Sequence, residues 1–130
     1  MPSIKFLLEW PLSARQLGLA SSRQPIIRER FVAELASTET GKAAADLLWD
    51  KLNDAKVCDE FVPYPDDDLL WTYGLADEDL DDDIILAILV AVTANIPDEP
   101  FLKRFGPVDT PRDIIRLIEA SDREIRRFQR

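Results

Sequence analysis

The residues with the greatest chemical potential form an acidic run in the middle of the chain, in ADEDLDDDIILAILVAV, residues 76–92. Paired carboxylates can act as general acid and base, and larger groups of them can bind divalent cations. A second acidic group lies just before this run, in PYPDDDLL, residues 63–70. The candidate site therefore consists of nine carboxylates, which we predict to bind a partner: Asp66, Asp67, Asp68, Asp77, Glu78, Asp79, Asp81, Asp82 and Asp83.

A calcium site is the first hypothesis to test against this spacing. The stretch DEDLDDDIILAI begins with aspartates at the first, third and fifth positions, as in an EF-hand loop. Its sixth position is Asp82, where the turn requires glycine, and its twelfth is Ile88, where the loop requires a glutamate that binds through both oxygens. We expect no dedicated metal site, although loose binding of divalent cations stays open.

Catalysis is the second hypothesis, and the composition argues against it. The chain contains no histidine, which excludes imidazole-dependent triads and histidine-ligated zinc. The single cysteine, Cys58, is flanked by Asp59 and Glu60, whose charges disfavour the reactive thiolate. A carboxyl that acts as general acid needs an apolar pocket, whereas crowded acids indicate exposure. We therefore expect no enzymatic activity and no cofactor.

The charge distribution indicates the class of partner. The net charge is -9, and residues 57–102 hold thirteen acids with no lysine or arginine. Residues 103–130 reverse this balance, with eight bases and five acids. A negative field of this kind repels nucleic-acid phosphate and attracts basic proteins. We expect a basic protein partner and no direct binding of DNA or RNA.

The cellular location follows from similar arguments. No positively charged segment followed by an apolar signal core opens the chain, and one cysteine cannot form an internal disulfide. The longest apolar run, residues 84–94, is shorter than the roughly 20 residues that a membrane-spanning helix needs. These features favour a cytoplasmic protein without a membrane segment.

The elements that must position the acids are predicted to be helical. A chain of 130 residues with 46% apolar composition fits one domain, residues 1–130. Nine prolines and four glycines favour helices with proline-marked starts over hairpins with glycine turns. We predict an all-α bundle of four to five helices, with a short strand or extended segment at residues 3–10 as an open alternative.

Helical spacing places several elements along the chain. Residues 11–20 form a short turn, and a helix starting at Pro25 carries Ile27, Phe31 and Leu35 on one face. A second helix starts at a Thr40 cap. Its apolar stripe consists of Ala44, Leu48, Leu52 and Ala55.

The second half of the chain begins with a long loop over residues 58–75, which Leu69, Leu70, Trp71 and Tyr73 pin to the core. A helix capped by Asp79 or Asp81 follows and continues through residues 84–94. Since this helix is apolar on nearly every face, we expect it to be central.

The final helix follows a proline-rich connection that contains one helical turn at FLKRF. It has Thr110 as its cap, Pro111 as its first residue and Asp113 as its third. Its apolar stripe is Ile114, Leu117, Ile118, Ile125 and Phe128, and we expect deep burial of Leu48, Leu86, Ile88, Leu89, Leu117 and Ile118.

The order of these elements resembles that of acyl carrier proteins over about residues 40–120. The segment YGLADEDLDDDIILAILVAV, followed by IPDE, is similar to the part of that family in which an Asp-Ser-Leu motif opens the second helix. The resemblance implies a small acidic helical bundle at residues 40–130, with residues 1–39 as an N-terminal extension packed on it. In the family, the motif serine carries a phosphopantetheine arm and the acidic second helix docks on basic enzymes.

The chain departs from this family at the attachment residue. Aligning Leu80 with the motif leucine puts Glu78 at the aspartate position and Asp79 at the serine position. The resemblance therefore implies no phosphopantetheine arm. What carries over is the acidic docking face, formed by Glu78, Asp79, Asp81, Asp82 and Asp83.

A second functional hypothesis belongs to a different class. Small acidic proteins of the immunity or antitoxin type neutralise basic toxins or nucleases by presenting carboxylates where phosphate would lie. Both hypotheses require a basic partner. The carrier-like hypothesis needs the start of the helix at residues 79–94 to be exposed, whereas an inhibitor can use any acidic patch.

Overall fold

All regular secondary structure in the described part of the chain is helical. The computed structural model describes residues 10–76, 80–93 and 96–128, with residues 80–82 and 128 described in their backbone only. Within these residues there are seven α-helices, one π-helical segment and no strand. The bounds are α1 Leu12–Ser22, α2 Arg28–Leu35, α3 Glu39–Ala55, α4 Leu69–Tyr73, the π-helical segment Leu80–Ile85, α5 Leu86–Val92, α6 Glu99–Phe105 and α7 Pro111–Phe128.

The all-α prediction is confirmed, whereas the predicted count of four to five helices is too low. Two short helices account for much of the difference, and each begins at an aspartate within a proline-rich connection. The Asp68 carboxylate accepts from the Trp71 amide at the start of α4, and the Asp98 carboxylate accepts from the Phe101 amide at the start of α6. The predicted N-terminal strand falls on residues that lie, apart from Trp10, outside the described part of the chain.

The central element is α3, which packs against α2, α5 and α7. Its buried residues include Gly41, Ala44 and Ala45, whose small size lets neighbouring helices approach closely. Leu48 and Leu52 are fully buried below them. The prediction that residues 84–94 form the central helix is therefore wrong.

The helix at α5 is covered on one face only. Ile88 and Leu89 are buried against the core, whereas Val90 is 54% exposed. A helix that is apolar on all sides need not be enclosed on all sides, because burial depends on the neighbours that the rest of the chain provides. The prediction of deep burial is wrong for Leu86, which is only half-buried. It is confirmed for Leu48, Ile88, Leu89, Leu117 and Ile118.

The predicted helix starts have mixed outcomes. At α7 the capping pair is confirmed, since the Asp113 amide donates to the Thr110 hydroxyl and the Asp113 carboxylate accepts from the Thr110 amide, both at 3.2 Å. At α3 the cap is Thr38 rather than Thr40, because the Thr38 hydroxyl accepts from the Gly41 amide at 3.0 Å.

The predicted start of α2 at Pro25 is also wrong. The helix begins at Arg28, and Ile27 is 67% exposed in extended backbone, whereas Phe31 and Leu35 are buried as predicted. The Tyr64 hydroxyl donates to the Gln24 carbonyl, which ties the segment before the helix to the loop over residues 58–68.

The predicted short turn at residues 11–20 is a full helix, α1, which packs against α4. In the described part of the chain, none of the helices combines the length and the apolar character that crossing a membrane requires.

Candidate functional site: an apolar groove with an acidic rim

The first three predicted site residues all have partners within the protein. The Arg112 guanidinium donates to both carboxylate oxygens of Asp66, at 2.8 and 3.1 Å. This contact lowers the pKa of the Asp66 carboxyl from its ordinary value. The Asp68 carboxylate caps α4, where it accepts from the Trp71 amide at 2.8 Å.

Asp67 lies deeper than its two neighbours. Its side chain is 8% exposed and accepts two hydrogen bonds from the Arg23 guanidinium, at 2.6 and 2.8 Å. The Tyr64 amide donates to the same carboxylate at 3.1 Å, and the guanidinium lies 3.9 Å from the centre of the Tyr64 ring. This ion pair ties the end of α1 to the loop before α4, so Asp67 presents almost no surface to a partner.

The second acidic group is described in part. Asp77, Glu78 and Asp79 lie outside the described residues, and with them the Asp79 cap. Asp81 and Asp82 belong to the π-helical segment, which begins at Leu80, so Asp81 lies inside the helix and does not precede it. Asp83 is exposed, at the end of the acidic run and directly before the buried pair Ile84 and Ile85.

An apolar groove opens between α5, α6 and the segment that precedes α7, and its first lining residue, Ile85, follows the acidic run by two positions in the sequence. Its volume is about 600 Å³. We call it the α5–α6 groove; its apolar lining is Ile85, Leu86, Leu89, Ile96, Pro97, Leu102, Pro107, Val108 and Leu117.

The rim of the α5–α6 groove carries more negative than positive charge. Glu99 and Asp109 line it together with one base, Lys103, whose ammonium lies 3.5 Å from the Glu99 carboxylate. Both members of this pair are more than three-quarters exposed, so water screens it and it contributes little to stability. A partner cation can therefore reach the rim acids.

The apolar surface extends past the groove. A smaller hollow of about 280 Å³ shares Val108 and Asp109 with the groove and is also lined by Asp68, Leu70 and Leu75. Large apolar side chains stand out from the groove and the hollow: Ile96 is 64% exposed, Leu70 49% and Leu102 41%. Exposed apolar residues that adjoin one another are typical of surfaces that bind another molecule.

The other groups with potential reactivity have structural surroundings. Cys58 is buried, and its thiol donates to the Glu60 carboxylate at 3.2 Å, which lowers the pKa of Glu60. Burial raises the pKa of the Tyr73 hydroxyl above its ordinary value. Among the residues that the structure describes, no three histidine, cysteine or acidic side chains come together as metal ligands would.

The groove was not predicted, because every apolar residue of 84–94 was expected to lie in the interior. The pattern that indicates the groove lies further along the chain, in residues 96–109. Residues 96–109 alternate apolar side chains with three prolines and one glycine, so this segment cannot form a long covering helix over α5. No protein-family model, curated protein or solved structure matches this chain.

A first prediction concerns the Asp66–Arg112 contact. We expect Asp66→Asn to lower the free energy of unfolding slightly at pH 7, because the contact is exposed to water. Since the folded pKa of Asp66 lies below its unfolded value, the contact stabilises the protein above that unfolded value, and the benefit disappears as the pH falls through the folded pKa. Urea unfolding of both proteins at pH 7 and near pH 3 should show the difference shrinking in acid; a difference that grows in acid would contradict it.

Proposed function

We propose that this protein is a non-enzymatic binding module that takes a basic, amphipathic helix of a partner protein in the α5–α6 groove. The observation that carries the proposal is that this apolar groove is lined in large part by residues of the segment 57–102, in which every charged side chain is acidic. Ile96 and Leu102 on its wall, and Asp83 beside it in sequence, offer apolar contact and negative charge together.

The chemistry of the groove matches this ligand. An amphipathic helix inserts apolar side chains at helical spacing into a hydrophobic groove, and each square ångström removed from water contributes roughly 25 cal/mol. Lysines or arginines flanking its apolar face would meet the rim acids Glu99 and Asp109. The surrounding negative field would speed the encounter, with an effect that salt weakens.

The two earlier hypotheses give this partner different identities. The resemblance to acyl carrier proteins implies an enzyme that normally receives a carrier, with this chain acting without the phosphopantetheine arm. The inhibitor hypothesis implies a toxin or nuclease, for which the groove supplies apolar anchoring in addition to carboxylates. The absence of histidine from the whole chain supports a non-enzymatic role in both cases.

A model ligand tests the groove before any natural partner is known. We expect a fluorescent 18-residue peptide of leucine and lysine, arranged as an amphipathic helix, to bind saturably, and a scrambled peptide of identical composition to bind more weakly. Ile96→Gln and Leu102→Gln should each weaken binding by about tenfold through lost apolar contact. Fluorescence anisotropy at physiological salt measures both effects.

The matched control is Leu17→Gln, since Leu17 lies on α1, is 50% exposed and does not line the groove. This variant should bind like the parent. If all three substitutions weaken binding equally, or if the scrambled peptide binds as tightly as the helical one, the groove is not the site.

The charge part of the proposal has its own test. Neutralising Asp82 and Asp83 to asparagine should leave folding nearly intact, slow association of the helical peptide and flatten the salt dependence of the association rate. Stopped-flow anisotropy at two salt concentrations measures this. Association as fast as that of the parent at low salt would show that these acids do not attract the ligand.

A further inference from the structure

A second groove lies on the other side of α6. Its volume is about 590 Å³, and its lining is disjoint from that of the α5–α6 groove. We call it the α6–α7 groove; it is lined by Phe101, Arg104 and Phe105 from α6 and by Ala120, Arg123, Glu124 and Arg127 from α7.

This groove is positively charged, although the chain as a whole carries a net charge of -9. Three arginines and one glutamate give it a net charge of two positive units. Arg104 already pairs with Glu124 at 3.2 Å, whereas Arg123 and Arg127 form no ion pair with any residue in the described part of the chain. These two arginines are four residues apart, so they lie one turn apart on the same face of α7.

The apolar part of the groove consists of two aromatic rings. Phe101 and Phe105 are stacked, with ring centroids 6.5 Å apart and planes inclined by 26°. Both phenylalanine side chains are half-buried, and α6 contains no fully buried residue. Part of each ring therefore remains accessible to a ligand. Aromatic rings beside arginines suit a ligand with a flat apolar body and an anionic group.

From this combination we infer that the α6–α7 groove binds a small phosphate monoester with an apolar or aromatic body. A phosphate monoester carries about -1.5 to -2 charges at neutral pH, which matches the net charge of the groove. Guanidinium groups bind phosphate oxygens through paired hydrogen bonds. The ligand is small because the net charge of -9 repels an extended polyanion such as a nucleic acid.

Three probes separate the contributions of the two parts of the ligand. 1-Naphthyl phosphate contains both, 1-naphthol lacks the anion and inorganic phosphate lacks the ring. We expect 1-naphthyl phosphate to bind most tightly, with amide shifts in the NMR spectrum confined to α6 and the second half of α7. Titration at constant ionic strength measures the affinities, and comparable binding of 1-naphthol, or no saturable binding of 1-naphthyl phosphate, would overturn the inference.

Variants on α7 provide the matched control. Arg123→Gln and Arg127→Gln should each weaken binding of 1-naphthyl phosphate by about tenfold, through loss of a charge-assisted contact. Arg126→Gln removes the same charge from the same helix, but Arg126 pairs with Asp122 at 3.1 Å and does not line the groove. It should change the affinity by less than about twofold, since it contributes only through the general field. Equal losses in all three variants would show a general charge effect and no site.

The aromatic wall can be tested separately. Phe105→Leu keeps an apolar side chain and should weaken 1-naphthyl phosphate while leaving the affinity for inorganic phosphate unchanged. Circular dichroism of the variant checks that α6 and α7 remain folded. If the folded variant binds 1-naphthyl phosphate as tightly as the parent, the Phe105 ring does not contact the ligand and the inference is overturned.

Discussion

Replacing Glu119 by alanine should lower the free energy of unfolding by about 2 to 4 kcal/mol. The Glu119 side chain is 5% exposed and lies on α7 against the start of α3. Its carboxylate accepts from the Ser37 amide at 2.9 Å, the Thr38 amide at 2.7 Å and both neighbouring hydroxyls. Alanine would remove the buried acceptor of these part-buried hydrogen bonds and would remove a negative charge from a helix N-terminus, where it is favoured. Urea unfolding at pH 7 measures the loss.

A second substitution tests the same contact from the opposite side. A Cβ added at Gly41 would lie 2.2 Å from a Glu119 carboxylate oxygen, far inside van der Waals contact. Gly41→Ala should therefore destabilise the parent by about 1 to 3 kcal/mol. In the Glu119→Ala background the obstacle is gone, and the same change should become neutral or stabilise, because alanine favours helix more than glycine does.

Gly18→Ala is the control, since Gly18 lies in α1 and an added Cβ there meets no atom within 4 Å. It should raise the stability by about 0.5 to 1 kcal/mol in either background. Two results would contradict this explanation: Gly41→Ala stabilising the parent as Gly18→Ala does, or Gly41→Ala still destabilising the protein in the Glu119→Ala background. Either result would mean that the Glu119 carboxylate does not restrict the size of residue 41.

The sequence predicted the elements whose signals are local. The α7 helix begins with threonine, proline and an aspartate three residues after the cap, and the hydrogen bonds between Thr110 and Asp113 form within that one turn. For α3, helical spacing predicted the buried face that includes Leu48 and Leu52. In both helices the information lies within a few residues, so no knowledge of the rest of the fold is needed.

Burial of polar groups could not be predicted in this way. Glu119 occurs in RLIEASDRE, where every acid has the same local surroundings of bases and helix formers. It is buried because Ser37 and Thr38, about eighty residues earlier, end a loop directly over it. Asp67 differs from Asp66 and Asp68 because Arg23 reaches it from the end of α1 and because the Tyr64 amide donates to its carboxylate.

The groove could not be predicted from the sequence, and binding of a partner by the nine acids stays a prediction. The acidic run is visible in the sequence, and Asp83 at its end is exposed. The apolar part of the site was assigned to the core, because hydrophobicity alone does not show which face of α5 remains uncovered. That depends on α6, which leaves a groove between itself and α5.

Replacing Gln16 by leucine should also be costly, by about 2 to 4 kcal/mol, although the new side chain is apolar and of similar size. Gln16 is fully buried in α1, where its amide donates to the Thr72 carbonyl at 2.9 Å. Its side-chain oxygen accepts from the amides of Val57 and Cys58, at 2.9 and 3.0 Å. Leucine would leave three backbone groups without partners, and urea unfolding at pH 7 should show the loss.

In a Gln16→Glu variant, the free energy of unfolding should depend on pH through the introduced carboxyl group. A protonated carboxyl can still donate to the Thr72 carbonyl and accept from the two amides, whereas an ionised one would place its charge against that carbonyl in a site closed to water. Burial should therefore raise the folded pKa of the introduced carboxyl above its unfolded value of about 4.3. The variant should be close to the parent below that value, and its stability relative to the parent should fall by about 1.4 kcal/mol per pH unit as the pH rises towards the folded pKa.

The control for this titration is Gln24→Glu, whose side chain is exposed and should titrate as in the unfolded chain. Comparing each variant with the parent at the same pH removes the response of all other carboxyl groups. The difference between Gln16→Glu and the parent should widen between pH 4 and pH 7, while that for Gln24→Glu stays nearly constant. A constant difference for both variants would mean that water reaches residue 16, and that α1 is held against α4 by apolar contact and not by this amide.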